Sequence, residues 1–166
     1  MEFVQIEEGD THLVFSIYKS CIEQHAQAGF YQWDKTYPSL NTVETDIKKK
    51  HLFGLKHNGS IIAVVAITDD EPKEYHELTW QFKASYVVVH RLCVAKQHLR
   101  KGIAKKLMQM VETYAKQEKY QSIRLDTFSL NKAALRFYKN LNYNEVGKVN
   151  FPKRTDSDYT CFEKEV

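Results

Sequence analysis

The stretch VAKQHLRKGIAKKLM, Val94 to Met108, reads as the end of a strand passing through a turn into a helix, and it puts Arg100, Lys101, Lys105 and Lys106 where that helix begins. A helix start carries partial positive charge and ordinarily takes a Ser, Thr, Asp or Asn cap, or acidic residues in its first turn. No such residue stands between Lys96 and Lys101, so the first backbone amides need water or a ligand. Orphan amides, a favourable dipole and Gly102, which allows close approach to the backbone, are the ingredients of a phosphate site, with the cations offsetting ligand charge. A solvated, lysine-rich helix face with an incidental glycine accounts for the same residues. The stretch matches neither GxxxxGK[ST] nor GxGxxG, which argues against a P-loop and a dinucleotide fold.

Outward from this turn, Ala84 to Ala95 (ASYVVVHRLCVA) is too β-branched for a helix and continuous enough for a central strand. Helical periodicity follows through Ile103, Leu107, Met110, Val111 and Tyr114, then a strand from Gln121 to Phe128. Strand, helix and strand make a βαβ unit, so the strands ending at Ala95 and Phe128 are predicted to be parallel neighbours. Asn131 to Asn140 reads as a short helix, and two terminal strands are centred near Val146 and Cys161. Upstream, residues 51–57 and 60–67 flank Asn58-Gly59, the signature of a type I′ hairpin. Asp10 or Thr11 caps a first helix with Leu13, Val14, Ile17, Cys21 and Ile22 at helical spacing, and Gly29 ends it. After the loop FYQWDKTYPS, a second helix begins at Ser39, with Asn41 and Glu44 spaced as a capping box and Val43 and Ile47 facing inward.

The length of 166 residues fits one domain, 1–166, and 43% apolar with 27% charged residues is ordinary for a soluble fold. A net charge of +3 is too small to argue for nucleic acid. Charge is nevertheless uneven: residues 69–77, DDEPKEYHE, hold five carboxylates against one lysine, whereas Leu78 to Val111 has seven Lys or Arg and no acid. The first segment could attract a cationic amine or be solvated surface; the second could face an anion. Cys21, Cys93 and Cys161 are odd in number, far apart and without a CxxC pair, which predicts buried reduced thiols and no metal. With no leader-like start and no apolar run near the ~20 residues of a membrane span, a cytoplasmic location is expected and no membrane partner. Oligomeric state stays open, a homodimer among the options.

The stretch HRLCVAKQHLRKGIAKKLM, followed by RLDTFSLNKAALRFYKNLNY, resembles the two central motifs of the GNAT superfamily of acetyl-CoA-dependent N-acetyltransferases. In that family a strand ends in a [Q/R]-x-x-G-x-[G/A] loop whose amides bind the CoA pyrophosphate. The matching positions here are Leu99, Arg100, Lys101, Gly102, Ile103 and Ala104, with Lys105 adjoining; Leu99 stands where the family carries Gln or Arg. An Asn followed seven residues later by Tyr matches through Asn131, Ala134 and Tyr138, and YTCFEKEV resembles the family's last strand. The resemblance covers most of the chain and is strongest from His90 to Tyr143. It implies an α/β GNAT fold, a mixed, mostly antiparallel sheet with a central splayed parallel pair flanked by helices. It also implies acetyl-CoA as donor and a small-molecule or peptide amine as acceptor.

By that resemblance the amides of Leu92, Cys93 and Val94 bind the pantetheine arm and polarise the thioester carbonyl, Asn131 holds the arm, and Tyr138 sits near the sulfur. A phenol of pKa about 10 can return a proton to a departing thiolate, which makes Tyr138 the general-acid candidate, its alternative being a core tyrosine. An amine nucleophile must also lose a proton; His90 is the first candidate base, or else a structural histidine, and Asp126 the second. Tyr31, Trp33 and Tyr37 lie where GNAT proteins shape acceptor specificity, and large aromatics there serve equally as core anchors. The alternative to an enzyme is a catalytically silent acyl-CoA-binding module of the same fold.

Overall fold

The computed structural model describes residues 1–152 and 157–166. Along the chain run β1 (Glu2–Gln5), α1 (Thr11–Gln27), α2 (Leu40–Lys48), β2 (Leu52–His57), β3 (Ser60–Thr68), β4 (Tyr86–Val94), α3 (Ile103–Gln117), β5 (Ser122–Phe128), α4 (Lys132–Asn140), β6 (Asn144–Asn150) and β7 (Asp158–Glu165). The strands form one sheet in the order β1-β2-β3-β4-β5-β7-β6. As the βαβ pattern predicts, β4 and β5 are parallel, in register from Tyr86↔Ser122 to Val89↔Leu125. The pairs β1/β2, β2/β3, β5/β7 and β6/β7 are antiparallel. The sheet is thus mixed and mostly antiparallel around one parallel pair. The short strand β1, in a segment without a clear pattern, is an addition to the sequence reading.

The chain divides into two compact units, Met1–Ile67 with Arg91–Met110, and Thr68–His90 with Val111–Val166. In the first, Val14, Ile17, Tyr18 and Cys21 of α1 and Val43 and Ile47 of α2 pack on Leu52, Ile61, Val64 and Ala66 of β2 and β3. The hairpin turn has positive φ at both Asn58 (49°) and Gly59 (80°), as type I′ requires. Helix α1 ends as expected at Gly29: its amide bonds Ala26 O at 3.0 Å and that of Phe30 bonds His25 O at 2.8 Å, closing a Schellman motif. Its start differs, because the Asp10 side chain makes no cap and Thr11 Oγ1 donates instead to Glu8 O at 2.7 Å. Helix α2 begins after Ser39, but its capping box is Ser39 with Thr42, not Asn41 with Glu44. Thr42 occupies the third helical position, the place from which a side chain reaches the cap amide, and does so at 3.2 Å.

The cysteine reading is corrected in this unit. Cys21 of α1 and Cys93 of β4 form a disulfide across 72 residues, and Cys161 alone is a free, buried thiol. Helix–strand packing brings the two together, a long-range pairing that spacing does not reveal.

In the second unit β5 lies between β4 and β7, and its sequence SIRLDTF alternates cleanly. Ile123 and Leu125 point to one face and are fully buried, while Ser122, Arg124 and Asp126 share the other. Around Tyr138 of α4 the rings of Phe137, Tyr143 and Phe162 have centroids 5.1, 5.8 and 5.9 Å away. Edge-tilted pairs of that kind add about 0.5–1.5 kcal/mol each beyond their buried area. Among the described residues no helix is long and apolar enough to cross a membrane, and no group of His, Cys, Asp and Glu side chains could hold a metal ion.

Candidate active site

In the first unit β4 leaves the sheet at Ala95, whose amide bonds Ile62 O at 2.9 Å, and the chain makes a single 3-10 turn over Lys96–His98. Left-handed backbone follows at Arg100 (φ 60°) and Gly102 (φ 74°). A Cβ on Gly102 would meet nothing within 4 Å, so its φ, not crowding, calls for glycine there. The first bond of α3 runs from Lys106 N–H to Gly102 O at 3.0 Å, which leaves the amides of Ile103, Ala104 and Lys105 ahead of the helical ladder. Ile103, Leu107 and Met108 are buried and anchor the helix, while Arg100, Lys101, Lys105 and Lys106 are exposed. Lys101 Nζ closes the turn on Gln97 O at 2.9 Å. Leu99, 38% exposed, adds no polar contact. Amides ahead of a helix, a left-handed glycine and four exposed cations fit a pyrophosphate group.

The same unit assembles a second cluster. Arg91 has left-handed backbone (φ 53°) inside β4; its Nη1 donates to Tyr37 OH at 2.9 Å and its Nη2 to Asp46 Oδ2 at 2.6 Å. The Asp34 carboxylate holds the loop that presents Tyr37, accepting from the amides of Thr36 and Tyr37 at 2.6 and 3.1 Å. Trp33 stands edge-on to Tyr18, centroids 5.9 Å apart, and lies 5.3 Å from the His25 ring. Burial pushes the Tyr18 phenol up, opposed in part by the Arg91 charge, and it pulls the His25 imidazole down, leaving it neutral at pH 7. The Tyr18 hydroxyl and Arg91 Nε are buried with no hydrogen-bond partner. Of the aromatic trio read from the sequence, Trp33 and Tyr37 therefore join one cluster, whereas Tyr31 is 67% exposed and stands outside it. Arg91, Asp46 and Tyr18 were not read as site residues. Asp46 carried a signal, since it shares the apolar stripe of Val43 and Ile47, where a carboxylate needs a partner. The cation-rich segment expected to face an anion thus spends Arg91 on Asp46.

Leu92, Cys93 and Val94 continue β4 beyond its ladder with β5. Cys93 and Val94 are buried, and the Cys93 sulfur is committed to Cys21.

In the second unit Val89 and Leu125 are register partners, so the next residues, His90 and Asp126, fall together on the opposite face, and both are half-buried. Both candidate bases thus share a face. Tyr75 OH donates to Asp126 Oδ1 at 2.8 Å. Cys161, opposite Asp126 on β7, has its thiol pushed up by burial and by the Asp126 charge, which leaves it inert as a nucleophile. The same two causes, burial first, push the Tyr138 phenol up. Tyr138 is both core-packed and firmly protonated. Asn131 caps α4, its Oδ1 accepting from Ala134 N–H at 3.0 Å, so that the cap leaves the Nδ2 donors for another partner. Tyr75 was absent from the sequence reading; its place amid exposed acids gave no sign of burial.

The model of the acetyltransferase (GNAT) family matches residues 14–143. The uncharacterized N-acetyltransferase YesJ of Bacillus subtilis (strain 168) is 26% identical over 129 residues, 76% of this chain and 68% of that protein. A GNAT-family acetyltransferase from Streptococcus agalactiae 2603 has a similar solved structure, with a TM-score of 0.87 at 20% identity over 99% of this chain and 95% of that one. The ribosomal-protein-S18-alanine N-acetyltransferase of Escherichia coli gives 0.70 at 14% identity, covering 99% and 93%.

Proposed function

The chain belongs to the acetyltransferase (GNAT) family, and from that premise we propose that it transfers an acetyl group from acetyl-CoA to a primary amine by direct attack in a ternary complex. The observation that carries this reading is the start of α3. A left-handed glycine, amides ahead of the ladder and Arg100, Lys101, Lys105 and Lys106 form an anion cradle that the helix alone has no use for.

Acetyl-CoA, when bound, supplies the acetyl group as a thioester. The chain's own residues do the rest. The amides of Gly102 to Lys105 take the pyrophosphate, with the exposed cations balancing its charge, and the Asn131 amide donors hold the pantetheine arm, as do the amides of Leu92 to Val94. Tyr138 is protonated throughout the neutral range, as a general acid must be before it acts, and gives its proton to the departing sulfur; burial and the Asp126 carboxylate, which disfavour phenolate, make that transfer costlier than from a free phenol. His90 and Asp126 take the proton that the amine loses. Trp33, Tyr37 and Arg91 with Asp46 receive the remainder of the acceptor.

The test is thiol release from acetyl-CoA over a panel of amino acids, polyamines, peptide N-termini and lysine peptides. Alanyl N-termini are included because one fold neighbour is named for that acceptor. Release with at least one class is expected, and Tyr138→Phe lowers turnover by about 10²–10⁴-fold, the usual worth of a general acid, with CoA affinity retained. Acetyl-CoA binding without turnover on any amine would replace the enzyme with a silent acyl-CoA-binding module. Absence of binding at millimolar acetyl-CoA would remove the donor site itself.

A further inference from the structure

Between β3 and β4 lie 17 residues, 69–85, which include a 3-10 turn over Lys73–Glu77, well beyond the ~4–6 of an ordinary connection. Their sequence reads as an attractor for a cationic amine or as solvated surface, but the structure puts part of the segment to another use. Glu71 is committed to Arg124 Nη1 at 2.6 Å and faces His76 at 3.2 Å. The segment sends one polar side chain fully inward, that of Tyr75. Trp80 Nε1 donates to Tyr75 O at 2.9 Å and the two rings lie tilted with centroids 5.0 Å apart, while the Arg124 guanidinium lies against the rings of Trp80 and Tyr86, at 4.4 and 3.5 Å. The Gln81 amide is held by Glu163 at 2.8 Å. Arg124 and Asp126 alternate onto one face of β5, so the strand that fixes the segment through Arg124 is also the one that receives its Tyr75 hydroxyl, two residues on.

We propose that Tyr75 is a positioning residue for acetyl transfer: its hydroxyl orients the Asp126 carboxylate toward the amine proton. This rests on reading His90 and Asp126 as the amine-side pair. Among the described residues, the groups that face Asp126 include Tyr75 from the connection, Arg124 beside it on β5, Cys161 opposite on β7 and His90 on β4, with Tyr138 of α4 sensing its charge. Cys161 and Tyr138 are held protonated and neutral, and Arg124 is engaged by Glu71 and Glu163. The direct hydroxyl donor from the connection is Tyr75. A donor to a carboxylate favours its ionised form and restricts which lone pairs are left for a substrate. Whether the amine's proton goes to Asp126 or to a His90 that Asp126 stabilises, removing the donor moves the acidic limb of the rate profile the same way, upward.

The experiment compares wild type with Tyr75→Phe, which keeps the ring packing on Trp80, using acetyl-CoA and the fastest amine of the thiol-release panel. The acidic limb of kcat/KM is expected to rise by about one pH unit, the scale of one hydrogen bond to a charged group, with kcat at neutral pH reduced and KM for acetyl-CoA unchanged. Titration of the Asp126 carboxyl carbon by NMR is expected to shift in the same direction. Trp80→Phe, which removes the support of the Tyr75 backbone, gives a smaller shift of the same sign and serves if Tyr75→Phe does not fold. An unmoved carboxyl titration or an unmoved limb overturns the positioning role. The reading beneath it fails separately, if Asp126→Asn and His90→Ala each leave the limb in place while the carboxyl titration still responds to Tyr75→Phe.

Discussion

Replacing Arg124 by Met should cost more stability than any other single surface-distant change in β5. The guanidinium is 3% exposed as a side chain and serves Glu71 at 2.6 Å, Glu163 at 3.4 Å and the Phe82 carbonyl, besides its two ring faces. Methionine fills much of the volume but leaves Glu163, equally buried, with the Gln81 amide at 2.8 Å and the Ser122 hydroxyl at 3.1 Å and no cation. Breaking a buried pair from one side costs roughly 3–5 kcal/mol, mostly as an uncompensated charge. With an unfolding entropy of about 2.1 cal/mol/K per residue, the chain's 166 residues give about 350 cal/mol/K, so ~4 kcal/mol lowers Tm by about 11 °C. Thermal unfolding followed by circular dichroism reads this directly. Glu163→Gln added to Arg124→Met should then recover part of the loss, because the stranded charge is gone. A drop under ~3 °C, or strict additivity of the two changes, would refute the assignment of the network as a charge-compensated clamp.

Thiol counting separates the three cysteines: native protein is expected to take up no maleimide, denatured unreduced protein one label, at Cys161, and denatured reduced protein three, by intact mass. Three labels without reduction would remove the disulfide. Gly102→Val places a β-branched residue at φ 74°, which costs at least about 1–2 kcal/mol of backbone strain, and it puts a side chain at the anion cradle. Wild type at 100-fold excess over Kd should gain about 2.7 kcal/mol from acetyl-CoA, near 8 °C in Tm, and the variant should lose that gain while keeping a cooperative transition. An undiminished shift in the variant would place the donor's phosphates elsewhere.

What could be read from the residues alone was whatever is local. Asn58-Gly59 prescribes its own turn, SIRLDTF its own alternation, and the lack of a cap before Gly102 is visible without coordinates. The βαβ crossover adds one long-range fact, because a strand, a helix and a strand have one favoured way to pack. The same parallel register puts His90 and Asp126, both named from the sequence, on one face. What escaped depends on pairing across the chain. The capping box sits two residues earlier than the expected one, Ser39 with Thr42 in place of Asn41 with Glu44. Cys21 meets Cys93, Arg91 meets Asp46 and Tyr75 meets Asp126 at separations of 72, 45 and 51 residues, and local periodicity carries no record of such partners. Asp46 and Arg124, both unread in the sequence, lie on otherwise apolar faces, a pattern which states that a partner exists without saying where.

Left-handed backbone occurs partly in ordinary turns and partly at two arginines outside them. Lys50, Lys119 and Asn142 each follow a helix by two residues, and the amides of His51, Tyr120 and Tyr143 reach back to Asp46, Ala115 and Tyr138 carbonyls at 2.8, 2.9 and 3.1 Å, so all three are Schellman ends like Gly29. Asn58 belongs to the hairpin and Ser85 precedes β4. Arg91 and Arg100 have no such excuse. Arg91 sits inside a strand, where φ of 53° costs about 1–2 kcal/mol and breaks the alternation of the residues after it. Its hydrogen bonds to Asp46 and Tyr37 are of the charge-assisted kind that can offset that cost, so the residue type there is set by the charge it must deliver and not by the backbone it must adopt. Arg100 does the same two residues before Gly102, turning the chain ahead of the α3 amides while keeping a cation at their mouth. Asparagine or glycine would satisfy either backbone with less strain; at Arg91 the arginine is explained by Asp46 and Tyr37, and at Arg100 it agrees with the pyrophosphate site proposed at the start of α3.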